Sequence, residues 1–289
     1  MEQKIGTLPV TRGVADLRRA VQQWRQAGDV VALVPTMGAL HRGHLALVAH
    51  ARSLTDRVVA SIFVNPTQFG PNEDYSRYPR DETSDAVKLA EARCDLLYAP
   101  DVGMMYPEGF ATSVSPGPLA ARLCGRFRPG HFGGVATVVT KLLLQARPDV
   151  ACFGEKDYQQ LQIVRRIVRD LDIPVRIEGV PTVREADGLA LSSRNAFLSP
   201  KERRVAPSLH RVLAETAERV SGGASPGEAA VLGVAALSRS GFTKVDYLEV
   251  CDAETLEELA SYDRPGRILG AAWLGNTRLI DNLALPQRR

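Results

Sequence analysis

The 289-residue chain carries 36 Lys+Arg against 33 Asp+Glu and is 45% hydrophobic but only 6% aromatic. A chain of this length buries about three quarters of its unfolded surface, so its composition excludes a disordered, collagenous or disulfide-framework protein. A formal charge of +3 is too small to announce a nucleic-acid or membrane partner. The four cysteines, Cys94, Cys124, Cys152 and Cys251, form no CxxC pair, so reduced, packed thiols are expected. The amino-terminal residues hold no apolar signal core, and no stretch reaches the ~18 apolar residues of a membrane span. A cytoplasmic protein is expected.

In chain order, Val30–Val34 predicts a buried strand, because it is short, rich in Val and stopped by Pro35. Leu45, Val48 and Ala49 follow at helical spacing, and Arg57–Asn65 predicts a second strand closed by Pro66. A helix over Asp81–Arg93 and a strand over Asp95–Ala99 come next. After a Gly/Pro-rich stretch, 107–134, the pattern gives a helix (Val135–Ala146), a strand (Val150–Phe153), a helix (Tyr158–Leu171) and a strand (Val175–Val180). Strands alternating with helices imply a parallel, doubly wound α/β sheet over residues 1–184, with ligands collecting beyond the carboxyl ends of its strands. Beyond 184 the pattern changes. Two helices, Pro200–Val220 and Pro226–Ser240, precede three β-rich runs, Lys244–Val250, Arg267–Leu274 and Thr277–Leu283, which predicts a smaller α+β domain over 185–289.

Three segments carry chemistry. The first runs from the first strand into the first helix, Pro35-Thr36-Met37-Gly38-Ala39-Leu40-His41-Arg42-Gly43-His44. Its glycines keep the turn free of bulk, and a helix amino terminus favours phosphate. An imidazole there can donate to phosphate oxygens. Two histidines merely capping a helix are an equal alternative; zinc is disfavoured because the i,i+3 spacing lacks a third ligand. The second segment, Phe153-Gly154-Glu155-Lys156-Asp157-Tyr158-Gln159-Gln160, again joins a strand to a helix, with Lys156 suited to phosphate and Asp157 to ribose hydroxyls or to a plain helix cap. The third, Asp187–Asn195, places Ser192, Ser193 and Arg194 as a phosphate clamp or a polar interdomain linker. Asn65 and Gln68, at the end of the second strand, can both donate and accept, which suits hydroxyls and a carboxylate on a small molecule. Gln160 joins them if it lies one turn inside its helix. Arg126–Gly134 reads as a mobile lid or an exposed loop. The set contains several cations and donors but no Ser/His/Asp or Cys/His arrangement, which points to polyphosphate binding without a covalent enzyme intermediate.

PTMGALHRGH, FVNPTQF, YPR, GRFRPGHFGGVATVVTKL, FGEKDYQQL, DGLALSSRN and NTRLIDNL, in this order from about residue 30 to 283, resemble the pantoate–β-alanine ligase (pantothenate synthetase) family. His41-Arg42-Gly43-His44 alone is similar only to the wider HxGH nucleotidylyltransferase superfamily. The resemblance implies a Rossmann-like ATP domain, a smaller carboxyl-terminal lid domain and a homodimer that uses ATP and Mg²⁺, with no nucleic-acid or membrane partner. It implies that pantoate reacts with ATP to give pantoyl adenylate and pyrophosphate, and that β-alanine then displaces AMP. It also assigns roles: His44 as catalytic donor, His41 beside it, and Lys156, Ser192, Ser193 and Arg194 on the phosphates, Lys156 and Arg194 counting with the histidines as catalytic. Met37, Gly38, Gly154, Glu155, Asp157, Val183 and Leu191 match the nucleotide pocket. Gln68 and Gln160 hold pantoate with Asn65 close by, and Gln68 lies near β-alanine. Asp81 and Asp85 match no firm metal ligand, so the residues holding Mg²⁺ stay unassigned.

Overall fold

A computed structural model describes residues 3–71, 73 and 75–286. The first two residues of the amino-terminal segment read above for a signal core lie outside the described residues. The strands run β1 (Gln3–Ile5), β2 (Leu8–Thr11), β3 (Val31–Thr36), β4 (Arg57–Ile62), β5 (Leu96–Tyr98), β6 (Val150–Gly154), β7 (Arg176–Val180), β8 (Lys244–Asp252), β9 (Gly266–Leu274) and β10 (Thr277–Ala284). The α-helices are α1 (Val14–Gln26), α2 (Arg42–Leu54), α3 (Glu82–Glu91), α4 (Val102–Met105) and α5 (Cys124–Phe127), then α6 (His131–Ala146) and α7 (Tyr158–Asp170). The last three are α8 (Pro200–Val205), α9 (Ser208–Ser221) and α10 (Pro226–Arg239).

The chain divides into two compact units. Met1–Ala121, Arg128–Glu155 and Ile163–Pro181 make up the first; Arg122–Phe127, Lys156–Gln162 and Thr182–Arg289 make up the second. The last change of unit falls at 181/182; the pattern of the sequence places a single boundary at 184/185. Two excursions, 122–127 and 156–162, belong with the second unit, and no local pattern announces them.

The first unit is built on a seven-stranded sheet of order β1-β2-β5-β4-β3-β6-β7. Every neighbouring pair is parallel except β1 with β2, which form an antiparallel edge. Val31–Val34 and Val58–Ala60 are fully buried, as the apolar runs of central parallel strands require. Chain order reverses between β3 and β6: β4 and β5 lie on one side and β7 on the other. This is the switch point at which an α/β sheet opens a crevice beyond the carboxyl ends of its strands. β3 ends at Thr36 and β6 at Gly154, so two of the chemistry-bearing segments start there.

The second unit carries the antiparallel sheet β10-β9-β8, with α9 and α10 packed on it. Its core joins Leu209, Val212 and Leu213 of α9 to Leu248, Val250, Ile268 and Ala272 of the sheet. All four cysteines are free and buried, and burial pushes the Cys94, Cys152 and Cys251 thiols up to about 12, so they stay protonated packing groups. Among the described residues no helix is long and apolar enough to cross a membrane.

Several expected elements change. The helix expected over Pro200–Val220 is two, because Pro207 cannot continue the hydrogen-bond ladder and instead caps α9. In α2 the buried face is Leu47, Val48 and Ala51, whereas Leu45 is half-buried and Ala49 exposed. α6 begins at His131, four residues before the expected start, so the stretch read as a lid or loop is largely helix. β1, β2 and α1 have no counterpart in the reading of the sequence.

Candidate active site

The turn between β3 and α2 is held in an unusual conformation. Gly38 has φ +80° and Ala39, a residue with a Cβ, has φ +51°; the left-handed region costs such a residue about 1–2 kcal/mol. Local bonds hold it there. The Thr36 hydroxyl donates to the Ser61 carbonyl at 2.8 Å and accepts the Gly38 N–H at 3.1 Å. The Leu40 N–H donates to Oδ1 of Asp85 at 2.8 Å, and Lys88 Nζ donates to the Leu40 carbonyl at 3.1 Å. Asp85 is 1% exposed, and its Oδ2 lies 3.1 Å from where a Cβ on residue 38 would sit, so no larger residue fits without moving the carboxylate. Asp85, left unassigned by sequence reasoning, braces the HxGH turn; Asp81 caps α3 by accepting the Ser84 N–H at 3.0 Å.

The two histidines do cap the helix, and the cap defines their chemistry. His41 is the N-cap residue, its Nδ1 accepting the Gly43 N–H at 3.1 Å, while the His41 N–H donates to Nδ1 of His44 at 3.3 Å. The rings lie 4.1 Å apart between centroids. An Nδ1 that accepts carries no proton, so each neutral ring bears its hydrogen on Nε2. Both imidazoles are therefore Nε2–H donors, which is the form that can donate to a phosphate oxygen. The capping and phosphate readings of this motif are compatible.

Beyond β4, Asn65 is a buried hub, 1% exposed. Its Nδ2 donates to Oε1 of Gln68 at 3.1 Å and to the Gly134 carbonyl at 3.2 Å. Its Oδ1 accepts the Thr67 hydroxyl at 2.9 Å and the Tyr106 phenol at 2.8 Å. Asn65 thus supports Gln68 with the same carboxamide that the sequence reading offered to a substrate. Burial raises the Tyr106 pKa, against bonds with Thr67 and Asn65 that lower it, so the phenol stays a donor. Gln68 Nε2 lies 3.1 Å from the Met37 sulfur, a weak acceptor that leaves this amide the more available end of the group.

Arg128–Gly134 clamps the backbone of the same turn. Nδ1 of His131 lies 2.8 Å from the Gln68 carbonyl and its Nε2 lies 3.0 Å from Arg128 Nη1. A carbonyl only accepts and a guanidinium only donates, so His131 is the Nδ1–H tautomer. Arg128 also pairs with Glu73 at 2.5 Å. A Cβ on residue 134 would fall 2.3 Å from the Thr67 carbonyl oxygen, so only glycine lets α6 approach this turn. Sequence reasoning missed Gly134, Tyr106, Glu73 and Asp85 as supports; the run of conformationally free residues in HFGGVA was the only available signal, for Gly134.

β6 ends at Gly154, where an added Cβ would meet nothing within 4 Å, so the backbone is open to a ligand. In the second unit, Lys156 lies in the turn Glu155–Asp157, with its ammonium 3.8 Å from Asp157. The Gln159 carboxamide bonds the backbone of Arg122 and Cys124, at 2.7 and 3.0 Å, while Gln160 is half-buried. Val183 and Leu191 face each other across a short hairpin, the Leu191 N–H donating to the Val183 carbonyl at 3.0 Å. The hairpin leads into the turn Ser193–Phe197, which Ser192 caps through the Arg194 N–H. Ser192, Ser193 and Arg194 are half-buried. His41, His44, Met37, Gly38, Asn65, Gln68, Gly154 and Glu155 therefore belong to the first unit, and Lys156, Asp157, Gln160, Val183, Leu191, Ser192, Ser193 and Arg194 to the second.

The family profile described as pantoate-β-alanine ligase matches residues 9–284. The chain is 60% identical over 276 residues to the pantothenate synthetase of Paramagnetospirillum magneticum, covering 96% of this chain and 97% of the relative. It is 56% identical over 279 residues to that of Rhodospirillum rubrum, covering 96% and 99%. Among solved structures it superposes on the pantothenate synthetase of Thermus thermophilus with a TM-score of 0.91 at 53% identity, covering 96% and 99%. The pantoate-β-alanine ligase of Francisella tularensis, complexed with β,γ-ATP and β-alanine, matches with a TM-score of 0.81 at 33% identity, covering 96% and 98%.

Proposed function

Since the chain belongs to the pantoate–β-alanine ligase family, we propose that it makes pantothenate through a pantoyl adenylate, with ATP as co-substrate. The carboxylate of pantoate attacks the α-phosphorus of ATP, and the bond to the bridging oxygen breaks, releasing pyrophosphate. The amine of β-alanine then attacks the acyl carbon. AMP leaves with the electron pair of the broken C–O bond, and the amine sheds a proton.

A carboxylate is a poor electrophile, and adenylation supplies its leaving group. The first step drives an anion toward a polyanion, so charge neutralisation and alignment dominate the barrier. His44, held as an Nε2–H donor, serves the leaving phosphates with His41 beside it; one such donor contributes ~2.7–4 kcal/mol, or ~100–1000-fold in rate. Lys156 and Arg194 supply cationic charge, Ser192 and Ser193 neutral donors. Met37, Gly38, Gly154, Glu155, Asp157, Val183 and Leu191 serve the nucleotide, and the open face of Gly154 supports its share of that role. Gln68 and Gln160 orient pantoate with Asn65 behind them, and in-line alignment of two bound reactants is worth up to ~7–11 kcal/mol.

Mg²⁺ belongs to this reading as a companion of the ATP phosphates. Among the described residues no group of three or more His, Cys, Asp or Glu side chains could hold a metal ion, so no step is assigned to a protein-bound one. A carboxyl-terminal unit that acts as a lid over the nucleotide, and a homodimer, complete the proposal. The observation that carries it is the double-histidine cap at the switch point, which presents two imidazole donors at a helix amino terminus, an end that favours phosphate. The test is isotope exchange between pyrophosphate and ATP with pantoate and Mg²⁺ present and β-alanine absent. Pantoate-dependent exchange is expected; a folded enzyme that shows none contradicts the adenylate.

A further inference from the structure

Two neighbouring buried polar residues of the last strand have no role in the chemistry above. Asp281 and Asn282, in β10, are 4% and 3% exposed. Buried polar groups in a strand are costly unless hydrogen-bonded, and the partners of these two are specific. Asn282 Nδ2 donates to the Lys156 carbonyl at 2.9 Å, and its Oδ1 accepts Arg267 Nε at 2.6 Å. The Arg267 guanidinium lies over the Tyr158 ring, 3.7 Å from its centroid, and so fixes the start of α7 as well. Asp281 takes both arms of Arg184, at 2.7 and 2.9 Å, and Arg184 also donates to the Gly188 carbonyl at 3.0 Å. The backbone N–H of Asn282 donates to Asp281 Oδ1 at 2.8 Å, which ties the Asp281 carboxylate to the strand's own main chain beside Asn282.

Side chains of consecutive strand residues leave on opposite faces. One step along β10 therefore reaches two different stretches of chain: the turn that carries Lys156, and the hairpin 183–191 that delivers Ser192, Ser193 and Arg194. We propose that Asn282 is a positioning residue for Lys156, and that Asp281, acting through Arg184, positions the hairpin before Ser192–Arg194. A single strand thereby sets the register of both cation-bearing stretches of the second unit. This rests on the assignment of Lys156 to the ATP phosphates. The effect is indirect but large in principle, because small misplacements of an aligned group cost rate steeply.

Steady-state kinetics of Asn282→Ala and Asn282→Asp in the full-length enzyme test the proposal, with thermal melting to check folding. The Asp variant keeps its size and its acceptor for Arg267 but cannot donate to the Lys156 carbonyl, so it carries the test should the Ala variant fail to fold. We expect kcat/KM for ATP to fall about tenfold, the scale of one lost buried hydrogen bond, while KM for β-alanine stays within about twofold. In a Lys156→Ala background the same change should cause little further loss, since it acts through Lys156. Unchanged ATP kinetics in folded Asn282→Asp, or a loss that multiplies in full onto Lys156→Ala, overturns the proposal. A merely structural Asn282 would lower the melting temperature and affect all substrates alike, which also overturns it. Wild-type enzyme without pantoate-dependent exchange, or Lys156→Ala with normal ATP kinetics, would instead overturn the functional reading.

Discussion

The two units build their chemistry-bearing segments in different ways. In the first, the side chains proposed to act are themselves fixed: His41 and His44 bond into the helix cap, and Gln68 is gripped at its side chain by Asn65 and at its carbonyl by His131. In the second, Asn282 holds the Lys156 carbonyl and Arg184 the Gly188 carbonyl, while Ser192 bonds into its own turn as a cap. Fixing a side chain sets its tautomer and direction before a ligand arrives, as donation to a leaving group requires. Fixing the backbone at Lys156 sets the point from which a long, rotatable cationic side chain reaches out. The difference predicts that changes in the first unit strike turnover or the use of pantoate and changes in the second strike the use of ATP.

The largest effect should come from His44→Ala. It removes an imidazole donor and one half of the helix cap, so turnover should fall ~100–1000-fold with a stability loss of about 1 kcal/mol; near-normal kcat in a folded variant would remove His44 from the chemistry. Gly134→Ala comes next. Its new Cβ would meet the Thr67 carbonyl oxygen, and an overpacking cost of about 1–3 kcal/mol should fall on the Gln68 turn as a raised KM for pantoate, with KM for ATP little changed. If both constants move together, the turn is not the element that α6 supports. Tyr106→Phe is milder: losing the bond to Asn65 should weaken pantoate selection by several-fold, the scale of a net hydrogen bond of about 0.5–1.5 kcal/mol.

The smallest effect is a pH dependence of stability in the second unit. Burial, helped by Arg184 and opposed by Asp281, lowers the pKa of His210 from 6.5. The unfolded chain then binds a proton that the folded state resists, so this contribution is fully present above 6.5 and is lost as pH falls through the lower folded value. The melting temperature should therefore drop on acidification below that point. His210→Gln should flatten the drop, and an unchanged slope would remove His210 as its source.

Much of the first unit is legible because its strands are short, apolar and cut by Pro or Gly where each turn begins. Gly154 ends β6, whereas β3 runs one residue past Pro35 and β4 stops at Ile62, four residues before Pro66; the HxGH segment follows β3 at the sheet's switch point, where the FGEKD segment also starts. The edge strands and α1 were not legible, since β1 and β2 are three and four residues long and carry almost no periodic signal. Pro207 is a visible breaker, but the apolar spacing on either side masks it. Support is hardest to read. Nothing local in the sequence shows that Gly134 must clear Thr67, that Asn65 turns inward, or that Asn282 reaches Lys156, 126 residues earlier. Side-chain chemistry identifies what a residue can do, while tertiary pairing decides whether it does so to a ligand or to a neighbour.

The most direct measurement is a crystal of the enzyme soaked with ATP, Mg²⁺ and pantoate in the absence of β-alanine. The proposed chemistry requires density for one acyl adenylate touched by His44, Gln68, Lys156 and Arg194. An unreacted ATP held by Lys156 and Arg194 alone, with His44 facing no part of it, would contradict it.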